Sequence, residues 1–447
     1  MTDTSRNTSI VDAERKSAHP SATPSVFARR RRQAIGASVG NFLEFYNFIL
    51  YAFFTPMIAR TFFRAHDPLI ELVYTLLTFA SGYLVRPLGA IILGIHARRF
   101  GAGKTLSLTF LLMGLGSLLV AITPGYEAIG PSGTILLVAA RLLQGFAEGG
   151  DVGPSTDLLL VLAEGTKRKT LYILMQPATQ YLASFVGVFI GFVMSVLMPE
   201  AALYSWGWRL PFLLGVIIIP IGFWARRTIV KDAIAISAPN LSEVPPSETV
   251  ALNRLAAICM FGFVATGAIQ TYIRNFGVSY AVGILHLSPK IATGGMCVGL
   301  LSGVFGMVCG IRVHTPSRAT RMIVVSGVIQ FLTLFPSYYY ATHDAGVLSQ
   351  CLLNIVWFLP SGCAAAAVWT IILPALPVAD RSFIYGVVYT LAVCIFGGLT
   401  QPVIAWLIAR TGDTLVPAYI GMVTIPLGLW AVLHLQSRAS RLQLSTA

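Results

Sequence analysis

The sequence predicts an all-α membrane protein, with twelve transmembrane helices arranged as two six-helix bundles. Three observations predict it. Hydrophobic residues make up 55% of the 447 and charged residues only 11%, where a soluble domain carries about 25% charged. The apolar residues come in long unbroken blocks, such as FLLGVIIIPIGFWA (212–225). Blocks of roughly 20 residues match a hydrocarbon core about 30 Å thick and are too continuous for the alternating strands of a barrel. The basic residues, finally, sit between the blocks and favour one side of the membrane.

In chain order, residues 1–28 are rich in Ser, Thr and charge and read as a disordered cytoplasmic leader. ARRRR (28–32) then precedes the first span. A signal peptide would be shorter and end in small residues, so the first span is expected to be retained. The N-terminal bundle, 29–226, holds spans at 33–57, 70–95, 105–123, 133–163, 171–198 and 209–226. Residues 227–252, with their Ser, Pro and acidic residues, form the longest polar interruption and read as a cytoplasmic linker. The C-terminal bundle, 253–436, holds spans at 253–284, 290–311, 320–341, 346–375, 382–409 and 416–436, followed by a cytoplasmic tail, 437–447. Of the 31 Lys and Arg residues, Arg86, Arg141 and Arg274 fall inside spans. Arg60, Arg64, Arg209, Lys290 and Arg410 fall on one side, and all the others share the side of both termini. The positive-inside rule makes that side cytoplasmic. Six plus six spans around a cytoplasmic loop is a layout of two-bundle secondary transporters.

Composition also excludes function classes. A net charge of +13 could suit nucleic acid, but the charge is spread between spans rather than gathered into one patch, so no nucleic-acid partner is expected. The six cysteines lie in apolar segments with no CxxC pair and read as packing residues, not as disulfides or a metal site. GAGKT (101–105) resembles the end of a phosphate-binding loop, but Arg98 stands where that pattern needs its first Gly, and no strand precedes it. No catalytic triad, metal cluster or nucleotide motif is present, so neither an enzyme nor a cofactor is expected.

The polar residues inside spans are the site candidates, because charges at mid-bilayer are costly and face bundle interiors or wet cavities. In RLLQGFAEGGDVGPSTD (141–157), Arg141, Gln144, Glu148, Asp151 and Ser155 fall within an arc of roughly 80° on one helix face. Asp157 points the other way. The stripe reads either as a proton or substrate relay or as an internal ion pair formed by Arg141. In span one, GNFLEFYNF (40–48) carries Asn41, Glu44, Tyr46 and Asn47. Burial raises the pKa of a Glu and suits Glu44 to reversible protonation; the alternative is permanent pairing with Arg141 or Arg86. Span seven holds Gln270, Tyr272, Arg274, Asn275 and Tyr280. The Arg274 guanidinium suits a carboxylate, unless it snorkels to the outer interface. Asn354, Tyr385, Tyr389 and Gln401 are weaker candidates, and Gly397–Gly398 reads as a packing device.

GNFLEFYNF, RPLGA (86–90), RLLQG (141–145), WGWRLPF (206–212) and the loop Gly94-Ile-His-Ala-Arg98-Arg99-Phe-Gly101-Ala-Gly-Lys104 resemble the metabolite:proton symporter branch of the major facilitator superfamily. Residues 376–413 resemble its citrate–proton symporters, which also take tricarballylate, and the likeness spans about residues 33–436. The resemblance implies the major facilitator fold and a gating loop formed by Arg98, Arg99 and Lys104. The departures are specific. Arg98 stands where the loop motif has an Asp that helps latch the cytoplasmic side. GIRVHTPSRATR (310–321) lacks the acid of the matching second loop. Asn47 replaces an Asp. Glu148 joins a Gly-rich segment whose usual acid sits at Asp151. The span-seven Pro is absent near Val278, and Arg274 takes a usually neutral position. Glu148 is therefore either a relocated proton site or the mark of a carrier that has lost its usual coupling.

The expected function is proton-coupled uptake of a small organic anion, citrate or a related di- or tricarboxylate, by alternating access. Glu44, Glu148 and Asp151 are expected to handle protons. Asn41, Tyr46, Asn47, Arg141, Gln144, Arg274 and Tyr389 are expected to bind substrate. The alternatives are a non-cycling sensor and a betaine-type zwitterion symporter. The expected setting is a monomer, multi-pass in the inner or plasma membrane, with both termini cytoplasmic.

Overall fold

A computed structural model describes residues 24–150, 169–221, 254–310, 316–372 and 388–445. Among them the chain is almost wholly helical. The N-terminal part runs α1 (Pro24–Phe62), α2 (Pro68–Phe100), α3 (Ala102–Ile122), α4 (Pro131–Gly149), α5 (Lys169–Leu197) and α6 (Gly207–Ile221). The C-terminal part runs α7 (Arg254–Asn275), α8 (Pro289–Gly310), α9 (Pro316–His343), α10 (Val347–Ile372), α11 (Val388–Thr411) and α12 (Val416–Ser445). Nine of these are long and apolar enough to cross a membrane; α4, α6 and α7 fall short of that among the described residues. The leader up to residue 23 and the linker 227–252 lie outside the described residues.

Two elements differ from expectation. The span at 253–284 is broken. The Phe276 amide is shared between the carbonyls of Tyr272 and Ile273, and a separate short helix, Gly277–Gly283, follows. Inside α11, Val393–Gly397 widens into a π-helical turn, a feature that often marks functional sites. Gly397 there underlies the Tyr272 ring and Gly398 underlies Tyr83, so both glycines serve close packing, as read from the sequence.

Packing is tightest where helices lack side chains. Along the α2–α4 seam, a Cβ on Gly145 would lie 1.9 Å from the Gly82 carbonyl oxygen, and one on Gly149 would lie 2.1 Å from the Arg86 carbonyl oxygen. No rotamer change relieves a clash with backbone. Gly145→Ala is therefore expected to lower stability by about 3 kcal/mol or more, outside the tolerated range of core overpacking, and a melting curve in detergent checks it.

α1 packs against α5, α3 against α4, α8 and α9 against α10, and α7 against α12. The N- and C-terminal parts meet mainly through α2 with α11 and α5 with α8. Ser279 donates to the Ala52 carbonyl (3.2 Å), and the Phe192 ring closes on Gly294. Nearer the middle, the rings of Tyr83 and Tyr272 meet edge to face at 5.3 Å.

Candidate functional site

A cavity of about 270 Å³ lies between the N- and C-terminal parts, walled by α1, α5, α7, α8, α10 and α11. Among the described residues its one charged lining side chain is Arg274, accompanied by Gln180, Tyr181, Asn275 and Tyr389. Arg274 is half-buried. Its guanidinium lies 4.7 Å from the Phe358 ring centroid and 5.6 Å from that of Tyr181. Its hydrogen bonds are long, 3.4 Å to the Tyr181 hydroxyl and 3.5 Å to Thr271, and its Nε has no hydrogen-bond partner among the described residues. A cation held by aromatic faces and no carboxylate among the described residues retains most of its donor capacity for an anion.

A second cluster is buried behind the cavity. Arg86 of α2 pairs with Glu148 of α4, with its guanidinium 4.4 Å from the Phe48 ring centroid and 4.2 Å from that of Tyr83. The carboxylate that Arg86 meets is thus Glu148 and not Glu44. Tyr272 and Tyr389, both on the cavity wall, lie within electrostatic reach of this pair. Glu44 is 5% exposed on α1.

The other stripe residues form a third arrangement. Arg141 is fully buried among the rings of Phe48, Tyr51 and Phe79, at 4.8, 4.6 and 4.9 Å. It donates to Gln144 Oε1 (2.6 Å); Gln144 Nε2 donates to Ser117 (2.9 Å), and Ser117 donates to Asn47 Oδ1 (2.5 Å). Asn47 Nδ2 then donates to the carbonyls of Leu43 (2.9 Å) and Gly215 (3.0 Å). Among the described residues Arg141 makes no ion pair; its charge is held by rings and an amide chain.

Asn47 is thereby locked as a donor to two carbonyl oxygens, a role an ionised carboxylate cannot fill. Asn47→Asp is expected to lower the melting temperature in detergent, because an ionised carboxylate leaves the Leu43 and Gly215 carbonyls without their donor.

Of the expected substrate residues, Arg274 and Tyr389 line the cavity. Arg141, Gln144 and Asn47 join the buried network. Tyr46 donates to the Pro211 carbonyl (3.1 Å), and Asn41 donates to Thr179 (2.6 Å). Gln401 donates to the Tyr272 carbonyl (3.1 Å) and Asn354 to that of Gln350 (2.8 Å), both within the helical packing. Asp151, Ser155, Asp157 and Tyr385 lie outside the described residues, as does the side chain of Arg98; Arg99 and Lys104 are exposed around the α2–α3 turn. Gln180, Tyr181 and Ser184 of α5 were missed as lining residues. Their signal was their recurrence at i and i+4 within an apolar span, but neutral side chains stand out less than charges.

The chain is similar in sequence to known transporters and in fold to a solved one. Residues 33–228 match the family described as Sugar (and other) transporter. The citrate-proton symporter of Salmonella typhi is 32% identical over 414 residues, covering 90% of this chain and 93% of that protein. The alpha-ketoglutarate permease of Escherichia coli (strain K12) is 30% identical over 427 residues, covering 93% and 96%. The partially occluded inward-open xylose transporter XylE from E. coli superposes with a TM-score of 0.66 at 14% identity, covering 91% of this chain and 97% of that one; at that identity the likeness bears on fold alone.

Proposed function

Because this chain belongs to the metabolite:proton symporter branch of the major facilitator superfamily, we propose that it is a multi-pass membrane transporter that takes up a small carboxylate, citrate or a related di- or tricarboxylate, together with protons. The observation that carries the reading is Arg274, a cation on the cavity wall with long hydrogen bonds and no acidic partner among the described residues. Its relatives are named for citrate and alpha-ketoglutarate, and both are carboxylates that a guanidinium fork would hold.

The same geometry supports a coupling scheme. When Glu148 takes a proton, Arg86 loses its counter-charge beside Tyr272 and Tyr389 on the cavity wall. The positive charge uncovered there favours an anion in the cavity, and by reciprocity a bound anion favours protonation. Protons that enter with the anion offset an inside-negative potential, which opposes it by about 2.3 kcal/mol per charge per 100 mV. Transport follows by rocking of an N-terminal six-span bundle against a C-terminal one. The distribution of Lys and Arg supports cytoplasmic termini, and the chain acts as a monomer.

The test is uptake of labelled citrate into proteoliposomes under an imposed pH gradient. Accumulation that collapses with an uncoupler is expected. Saturable binding with no accumulation would instead establish a sensor, and accumulation of glycine betaine but not citrate a zwitterion carrier.

A further inference from the structure

A second chamber, of about 280 Å³, adjoins the central cavity inside the C-terminal part, among α7, α9, α10 and α12. The two share the wall formed by Gly267, Thr271 and Arg274 of α7 and Tyr181 of α5. Each alone is smaller than the roughly 300–1,000 Å³ of ordinary small-molecule sites, and together they fall within that range. The chamber carries a neutral polar lining from three helices: Gln270 on α7, Ser326 and Gln330 on α9, and Ser361 on α10. Gln330 is only 4% exposed, yet its amide Nε2 has no hydrogen-bond partner among the described residues. Burying an amide without a partner is costly. Gln330 also lines the chamber, and a turn of its terminal amide presents the unused donor to a ligand there.

We propose that this chamber is a substrate subsite, which takes one carboxylate arm of a polycarboxylate whose other arms lie in the central cavity, with Arg274 at the junction. The proposal rests on the carboxylate reading of Arg274. The amides of Gln270 and Gln330 and the Ser326 hydroxyl suit an anionic arm without adding a second fixed charge; the Ser361 hydroxyl is committed to the Trp357 carbonyl. The arrangement makes the site read length: a C4 dicarboxylate is held by the central cavity and Arg274, whereas a tricarboxylate reaches the amide of Gln330.

The test compares wild type, Gln330→Leu and Ser326→Ala, full-length, by citrate and succinate binding in detergent and by uptake in proteoliposomes; both positions line the second chamber and not the central cavity. Both variants are expected to keep or raise the melting temperature, since one removes an unsatisfied buried amide and the other replaces a helical serine with a better helix former. Both are expected to weaken citrate binding about ten-fold and to leave succinate binding within two-fold. Unchanged citrate binding, or equal loss for both acids, would overturn the subsite while leaving carboxylate transport intact. Wild-type protein that binds neither acid would overturn both.

Discussion

Arg274→Gln is expected to lower kcat/KM for citrate by roughly 100-fold or more, because it removes charge-assisted hydrogen bonds of about 1.5–3 kcal/mol each. The fold should be spared. Among the described residues the native guanidinium makes only long hydrogen bonds, to Tyr181 and Thr271, so no close polar partner is orphaned when it goes. Arg274→Lys should recover part of the affinity, since it keeps the charge but not the planar fork. Uptake kinetics paired with melting curves check both variants. An Arg274→Gln protein that transports citrate normally would remove the main support for an anionic substrate.

Glu148→Gln is expected to abolish accumulation driven by a pH gradient while sparing citrate counterflow, which needs no net proton movement. It should also destabilise, because removing one partner of a buried ion pair costs about 3–5 kcal/mol. The double variant Arg86→Met/Glu148→Leu should regain that stability and still fail to accumulate. Recovery of stability without recovery of coupling separates a proton site from a structural brace. Normal accumulation by Glu148→Gln would move the proton to another acid, with Glu44 the first to test.

The spans were legible because apolar length is a one-dimensional property: α2, α3, α8 and α12 lie where the hydropathy of the chain puts them. The break at Phe276 and the π-helical turn at Val393–Gly397 were not legible. They lie where Gly277 meets Asn354 and Gly397 meets Tyr272, contacts between distant helices that composition does not report. For the site, the charges announced themselves, since Arg86, Arg141, Glu148 and Arg274 are exceptional in apolar helices. Their partners did not. Helical spacing places Arg141, Gln144 and Glu148 on one face of α4, but it does not reveal that α2 supplies the cation for Glu148 while α3 and α1 extend the Arg141 chain. Neutral polar residues such as Gln330 are harder still, because only burial without a partner singles them out.

The glycine seam between α2 and α4 has a mechanical consequence. With carbonyl oxygens seated against glycine Cα positions at Gly82–Gly145 and Arg86–Gly149, neither helix can slide along the other without backbone collision. Arg86 and Glu148 therefore ride on one stiff strut and stay in register throughout a transport cycle. Proton arrival can change the charge of that strut but not its shape. Movement must be taken up elsewhere, where ring meets glycine and side chains can turn: Tyr83 on Gly398, Phe192 on Gly294. A cross-link from α2 to α4 should thus leave a working carrier, and one from α2 to α11 should arrest it.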